Sequence, residues 1–168
     1  MLLRENITGK EAVYKTNVEI EITDKYFHVN YVSEHPSMYS YTDKYNGEIY
    51  NGDAVELFIT ANDVDKYYEF EIAPNNTKFV GKIDNDGNNV KLTLLKKCFI
   101  KSTSKLINNN WVVDLYVPLS RIGHKAGKTL KYNILRIDTD GGKTNAHLFA
   151  LHPTMCGSFH KRDFLLAK

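Results

Sequence analysis

Between Gly52 and Pro74 the chain reads GDAVELFITANDVDKYYEFEIAP. Two runs of alternating polarity, 54–60 and 67–72, flank a six-residue turn, 61–66, that is polar and carries Asn and Asp. Alternation with period two puts Val55, Leu57 and Ile59 on one face of a strand and Ala54, Glu56 and Phe58 on the other. The second run sets Tyr68, Phe70 and Ile72 opposite Tyr67, Glu69 and Glu71. This pattern fits a β-hairpin and not a helix. Its aliphatic side needs a core, and its other side carries carboxylates and tyrosines.

The rest of the chain repeats the pattern. Segments 13–22 and 26–33 alternate around Thr23-Asp24-Lys25, a hairpin-like turn, and 35–51 is a long Tyr-rich connection broken by Pro36 and Gly47. Further strands are expected at 78–83, 90–95, 98–106, 111–117, 129–138 and 146–151, and only 118–124 reads as a helical turn, opened by Pro118 and closed by Gly123. About ten short strands with polar turns and no long helix predict an all-β fold, an antiparallel β-sandwich of jelly-roll or immunoglobulin-like type. No repeat or linker divides it, so residues 1–168 are read as one domain. The core is expected to hold Val55, Leu57, Ile59, Phe70, Ile72, Trp111, Val113 and Leu115. Trp111, the only Trp, alternates with Val113, Leu115 and Val117 and is assigned to that core.

Composition removes several functions. Lys and Arg number 22 against 20 Asp and Glu, scattered along the chain, so there is no clustered basic face for nucleic acid. No stretch approaches the roughly 18 apolar residues of a membrane span. The first residues, MLLRENITGKEA, lack the apolar core of a signal peptide. As written the chain is expected in the cytoplasm, or outside the cell if it is a piece of a secreted parent. The six histidines show no HxH or HExxH spacing, so no catalytic metal is expected. Asp84-x-Asp86-Gly87 and Asp138-x-Asp140-Gly141 resemble the start of a calcium loop without its distal Glu, and are read as tight turns. Cys98 and Cys156 have no metal spacing; they are read as buried or partly buried free thiols, with pairing open in an oxidising compartment. There is no GxSxG, P-loop or GxGxxG. Glu56 and Glu69 leave a glycosidase-type carboxyl pair open, though no spacing singles out an acid and a nucleophile.

Four blocks carry a resemblance. The hairpin 52–74 comes first, followed by Asn110-Trp111-Val112-Val113-Asp114-Leu115-Tyr116-Val117-Pro118, then Tyr132-Asn133-Ile134-Leu135-Arg136, and finally the tail from Leu151-His152-Pro153-Thr154 through Ser158-Phe159-His160 to Phe164-Leu165. In this order, over about residues 50–168, the chain resembles the family 9 carbohydrate-binding modules and the wider DOMON-like sandwich superfamily. It departs from their pattern at Lys161-Arg162-Asp163, which lacks a proline, and at Ala54, where a second acidic residue is common.

The resemblance implies a non-catalytic module that binds a sugar or the end of a polysaccharide weakly. Its partner would be carbohydrate, with a glycoside hydrolase tethered or encoded nearby, and no nucleic acid or membrane. No cofactor is implied, although a structural calcium occurs among the relatives. A sugar presents flat C–H patches ringed by hydroxyls, which aromatic faces and planar polar side chains recognise. By the resemblance, one aromatic clamp residue is Tyr50, six positions before Glu56, and the other comes from His152, Phe159 or His160. Glu56 is either a ligand residue or an exposed strand carboxylate. Arg136 is either a ligand contact or the partner of a carboxylate such as Glu56, Glu69 or Asp114. The expected site is thus Tyr50, Glu56, Arg136, His152, Phe159 and His160. The alternatives are a DOMON-like sandwich of unassigned ligand, a glycoside-active enzyme, or a haem-binding cytochrome-like domain, for which Met155 and His152 lie too close together to serve both haem faces.

Overall fold

The computed structural model describes residues 1–34, 36–125, 127–143 and 145–167, the last by its backbone only. His35, the first residue of the long connection, lies outside them. The strands are β1 (Arg4–Glu5), β2 (Thr16–Ile22), β3 (Tyr26–Ser33), β4 (Ala54–Thr60), β5 (Lys66–Ile72), β6 (Lys78–Asn85), β7 (Val90–Leu94), β8 (Lys101–Ile107), β9 (Asn110–Pro118), β10 (Lys131–Asp138), β11 (His147–Ala150) and β12 (Leu166–Ala167). Single 3-10 turns stand at Ile49–Asn51, Leu119–Ile122 and Arg162–Phe164, and among the described residues there is no α-helix. Among the described residues no helix is long and apolar enough to cross a membrane.

Two sheets form an all-antiparallel sandwich. The larger runs β1-β11-β10-β4-β5-β6-β7, with β12 also pairing with β10, and the smaller runs β2-β3-β9-β8. The hairpin falls where the alternation put it, with Val55 opposite Ile72 and Leu57 opposite Phe70. Val55, Leu57, Ile59, Phe70, Ile72, Trp111, Val113 and Leu115 all lie in the core between the sheets. Period two explains this, because a slip of one residue would turn every one of them to the other face.

The centre of the larger sheet is buried on both faces, while β7 at its edge is exposed. Every residue of β4 is buried. The outer face carries its own apolar cluster, in which Phe58, Tyr67, Phe79 and Leu135 pack with Ile49, Phe159 and Leu165 from loops laid over the sheet. The acidic face of the hairpin therefore sits beneath this covering, and Glu56 is not an exposed strand carboxylate.

Two expectations need adjustment. Cys98 is exposed and Cys156 half-buried, and both are free thiols. Arg136 pairs with Asp138 instead of Glu56, Glu69 or Asp114. Asp114 lies on the outer face of the smaller sheet, bonded by His28 Nε2 at 2.9 Å and Asn30 Nδ2 at 3.1 Å. The two loops tested for calcium hold their carboxylates in other work. Asp86 Oδ1 accepts the backbone N–H groups of Asn88 and Asn89, Asp138 is paired with Arg136, and Asp140 is paired with Lys143. These residues do not fit a cation, and among the described residues no group of three or more His, Cys, Asp or Glu is placed to hold one.

Candidate functional site

On the outer face of the larger sheet lies a cavity of about 430 Å³, floored by β4, β5 and β6. It is lined by Tyr50, Glu56, Phe58, Glu69, Glu71, Phe79, Ile83, Val90, Leu92, Ile137, Leu148 and residues 157–160. Strand register explains the floor: Glu56 stands opposite Glu71, Phe58 opposite Glu69, and Glu69 opposite Gly81. Gly81 keeps the floor open. A Cβ there would come within 2.6 Å of Leu92 Cδ1 and 3.1 Å of the Phe79 ring.

The rim is held by polar staples. Tyr50 sits on the 3-10 turn Ile49–Asn51, which the buried Ile49 anchors. Gly52 follows because a Cβ there would meet Tyr39 O and Tyr41 N at 2.7 Å. Asp53 then fastens two loops, accepting Ser37 Oγ and Tyr39 N on one oxygen and Thr139 N and Oγ1 on the other. Tyr50 remains 45% exposed, the open ring at the mouth.

The opposite wall comes from the segment after β11. Asn6, fully buried, ties this segment down by donating to Thr154 Oγ1 and Cys156 O at 2.8 Å and accepting from Thr154 N at 2.9 Å. Phe159 is buried in the outer cluster. His160 stacks on Phe58 with ring centroids 5.0 Å apart, and its Nδ1 meets the Tyr67 hydroxyl at 2.8 Å. Asn85 also donates to the Tyr67 oxygen, at 3.4 Å, and the other imidazole nitrogen, Nε2, faces Glu69. That nitrogen is 3.9 Å from Glu69 Oε1.

Three carboxyls on one buried patch is an unusual electrostatic arrangement, because desolvation disfavours their charged forms. Burial, then the charge of Glu69, raises Glu56 well above the ordinary carboxyl range. Glu71 is raised well above that range by burial, by the charges of Glu56 and Glu69, and by its hydrogen bond to Glu69. Glu69 is pushed up to about 7, chiefly by burial, with the bond from Glu71 pulling the other way. Burial lowers His160, which leaves it mostly neutral beside them at neutral pH.

A pH dependence of stability follows. The folded state binds carboxyl protons more tightly than the unfolded chain, so stability is fully present below pH 4.5 and is lost as pH rises through about 7. For Glu69 alone, the rise from 4.5 to about 7 corresponds to about 3 kcal/mol. His160 has the opposite sign, losing stability as pH falls below its ordinary 6.5. The comparison with Glu69→Gln therefore isolates the carboxyl. Calorimetric melting should show the parent losing stability relative to Glu69→Gln between pH 5 and 8, and parallel curves would refute the assignment.

Of the six residues expected from the sequence, the structure brings Tyr50, Glu56, Phe159 and His160 to this cavity. Arg136 is not among them. Register sets Glu56 opposite Leu135 but Arg136 opposite Val55, so Arg136 points into the inter-sheet core, where it donates to Asp138, Thr16 Oγ1 and Glu34 O. His152 is half-buried and does not line the cavity; its backbone is held by Asn133, which accepts from His152 N at 3.0 Å and donates to His152 O at 2.9 Å. Glu71 was overlooked, although the hairpin pattern alone puts it in phase with Glu69 and across from Glu56.

A larger cleft, about 540 Å³, lies beside Thr60, Tyr68, Lys82 and 120–123. Its one half-exposed ring, Tyr68, is already covered by Lys82 Nζ, 5.2 Å from the centroid. The carboxyl-floored cavity is the stronger candidate on chemistry.

No protein-family model and no curated protein matches the chain. Solved structures do. A Bacteroides uniformis protein provisionally named as carbohydrate-binding superposes with a TM-score of 0.79 at 18% identity, over 99% of this chain and 83% of that one. A family 9 carbohydrate-binding module from Caldicellulosiruptor kristjanssonii in complex with cellotriose gives 0.64 at 15% identity, over 91% and 72%. One from the same organism in complex with glucose gives 0.58 at 14%, over 92% and 75%. The fold expected from the resemblance, that of the family 9 carbohydrate-binding modules, is the fold the chain adopts.

Proposed function

We propose that the chain is a non-catalytic carbohydrate-binding module that takes a sugar in the carboxyl-floored cavity. The observation carrying this reading is the meeting, at one cavity, of an open aromatic ring, Tyr50, with carboxyl groups set among apolar walls. Tyr50 would cover a C–H patch of the sugar, and Glu56 would accept its hydroxyls. The sugars in the structural neighbours, cellotriose and glucose, support the ligand class. The structural neighbours are carbohydrate-binding proteins, which supports a binding role over a hydrolytic one. A hydrolase, tethered or encoded nearby, is the partner such a module would serve.

Affinity is expected in the micromolar to millimolar range, since a small, partly exposed site recovers little beyond the cost of ordering its ligand. Calorimetric titration across mono- and oligosaccharides tests the reading. Tyr50→Ala should weaken binding about tenfold or more, roughly 1.4 kcal/mol. Gly81→Val should also weaken binding, because its side chain would displace Leu92 and Phe79, both of which line the cavity. No heat with any sugar, or full binding in both variants, would refute the assignment.

A further inference from the structure

Glu56, Glu69 and Glu71 stand on one floor with almost nothing to neutralise them. Among the described residues, no lysine or arginine lines the cavity, and the nearest basic group is His160, 3.9 Å from Glu69. Glu71 is 1% exposed, yet its Oε2 has no hydrogen-bond partner. A buried acceptor left unpaired is costly, and the protons that Glu56 and Glu71 keep stand in for a counter-charge the cavity lacks. Sheet packing alone would be served better by apolar residues here, as it is at Phe58 and Phe79 on the same face. The arrangement is complete only with a donor-rich cation inside it.

Resting on the carbohydrate reading above, we infer that the cavity selects a sugar bearing a protonated amine, an amino sugar whose ammonium group sits among Glu56, Glu69 and Glu71. An ammonium offers three donors and one positive charge, matching a patch with several free acceptor sites and no cation. Hydroxyls of a neutral sugar can donate to the same oxygens but bring no charge to draw the carboxyls into their ionised forms. An N-acetylated sugar brings an amide without charge and a larger substituent.

The test is calorimetric titration of the parent protein at pH 7 with three ligands of equal length: a β-1,4-linked glucosamine trimer, its N-acetylated counterpart, and cellotriose. The glucosamine trimer should bind at least about tenfold more tightly than either of the others, a difference of about 1.4 kcal/mol. Glu71→Gln, and separately Glu56→Gln in case the first variant folds poorly, should bring the ratio of glucosamine trimer to cellotriose affinity close to one. Cellotriose binding as well as or better than the glucosamine trimer would overturn the inference while leaving the carbohydrate site standing. An unchanged ratio in both variants would overturn the role of the carboxyls. No heat with any of the three would remove the carbohydrate reading and the inference together.

Discussion

Asp138→Ala is expected to cost about 3–5 kcal/mol, because it strips a buried guanidinium of its counter-charge. Arg136 is 1% exposed in the inter-sheet core, with Asp138 two residues along the same face of β10. Its remaining partners are the neutral Thr16 Oγ1 at 2.9 Å, Glu34 O at 3.2 Å and the face of Phe149, while Nε has no acceptor. Asp53 also acts on the guanidinium, but its oxygens are committed to Ser37, Tyr39 and Thr139. Urea denaturation measures the loss. The paired variant Arg136→Met with Asp138→Ala should recover most of it, since removing both charges leaves nothing uncompensated. A single variant within about 1 kcal/mol of the parent would mean that Asp138 is not what balances Arg136.

Trp111→Ala should cost a comparable amount, about 3–5 kcal/mol for a large buried aromatic. Trp111 is 1% exposed on β9. Its Nε1 donates to Ser104 Oγ at 2.8 Å, and Ser104 Oγ donates to Pro74 O at 2.7 Å. The indole thus ties the smaller sheet to the turn after β5. Trp111→Phe should retain most of the packing and lose about 1 kcal/mol with the hydrogen bond. Circular dichroism must follow the unfolding, because the variant removes the only Trp. Parent-like stability with lost sugar binding would make Trp111 a ligand platform and overturn its place in the core.

The sandwich was legible because period two is rigid. Once Val55, Leu57 and Ile59 were placed inward, Trp111, Val113 and Leu115 followed by the same rule. The short β1 and β12 were missed, since two residues carry no period. The site was legible in part. Tyr50 and Glu56 were found through the wording of the hairpin and the loop before it. Arg136 was misplaced because its sequence neighbours, Leu135 and Ile137, face the outer cluster while Arg136 itself faces the core. Alternation did place Arg136 with Tyr132 and Ile134, and that phase, given its full weight, would have excluded it. What no local pattern reveals is cover. The burial of Glu56, Glu69 and Glu71 comes from Phe159 and its neighbours, which arrive over the sheet from about a hundred residues downstream.

Stability and specificity are thereby assigned to different stretches of this chain. The sheets close over the inter-sheet core, to which residues 157–161 contribute no buried side chain. The wall facing the carboxyl floor is instead a strap, pinned by Asn6 at one end and by the pairing of β12 with β10 at the other. Such a strap is an exchangeable part. Variation confined to it would change what the cavity accepts while the fold beneath stays intact, which makes it the natural place for selection, or for a designer, to adapt the sandwich to a different ligand.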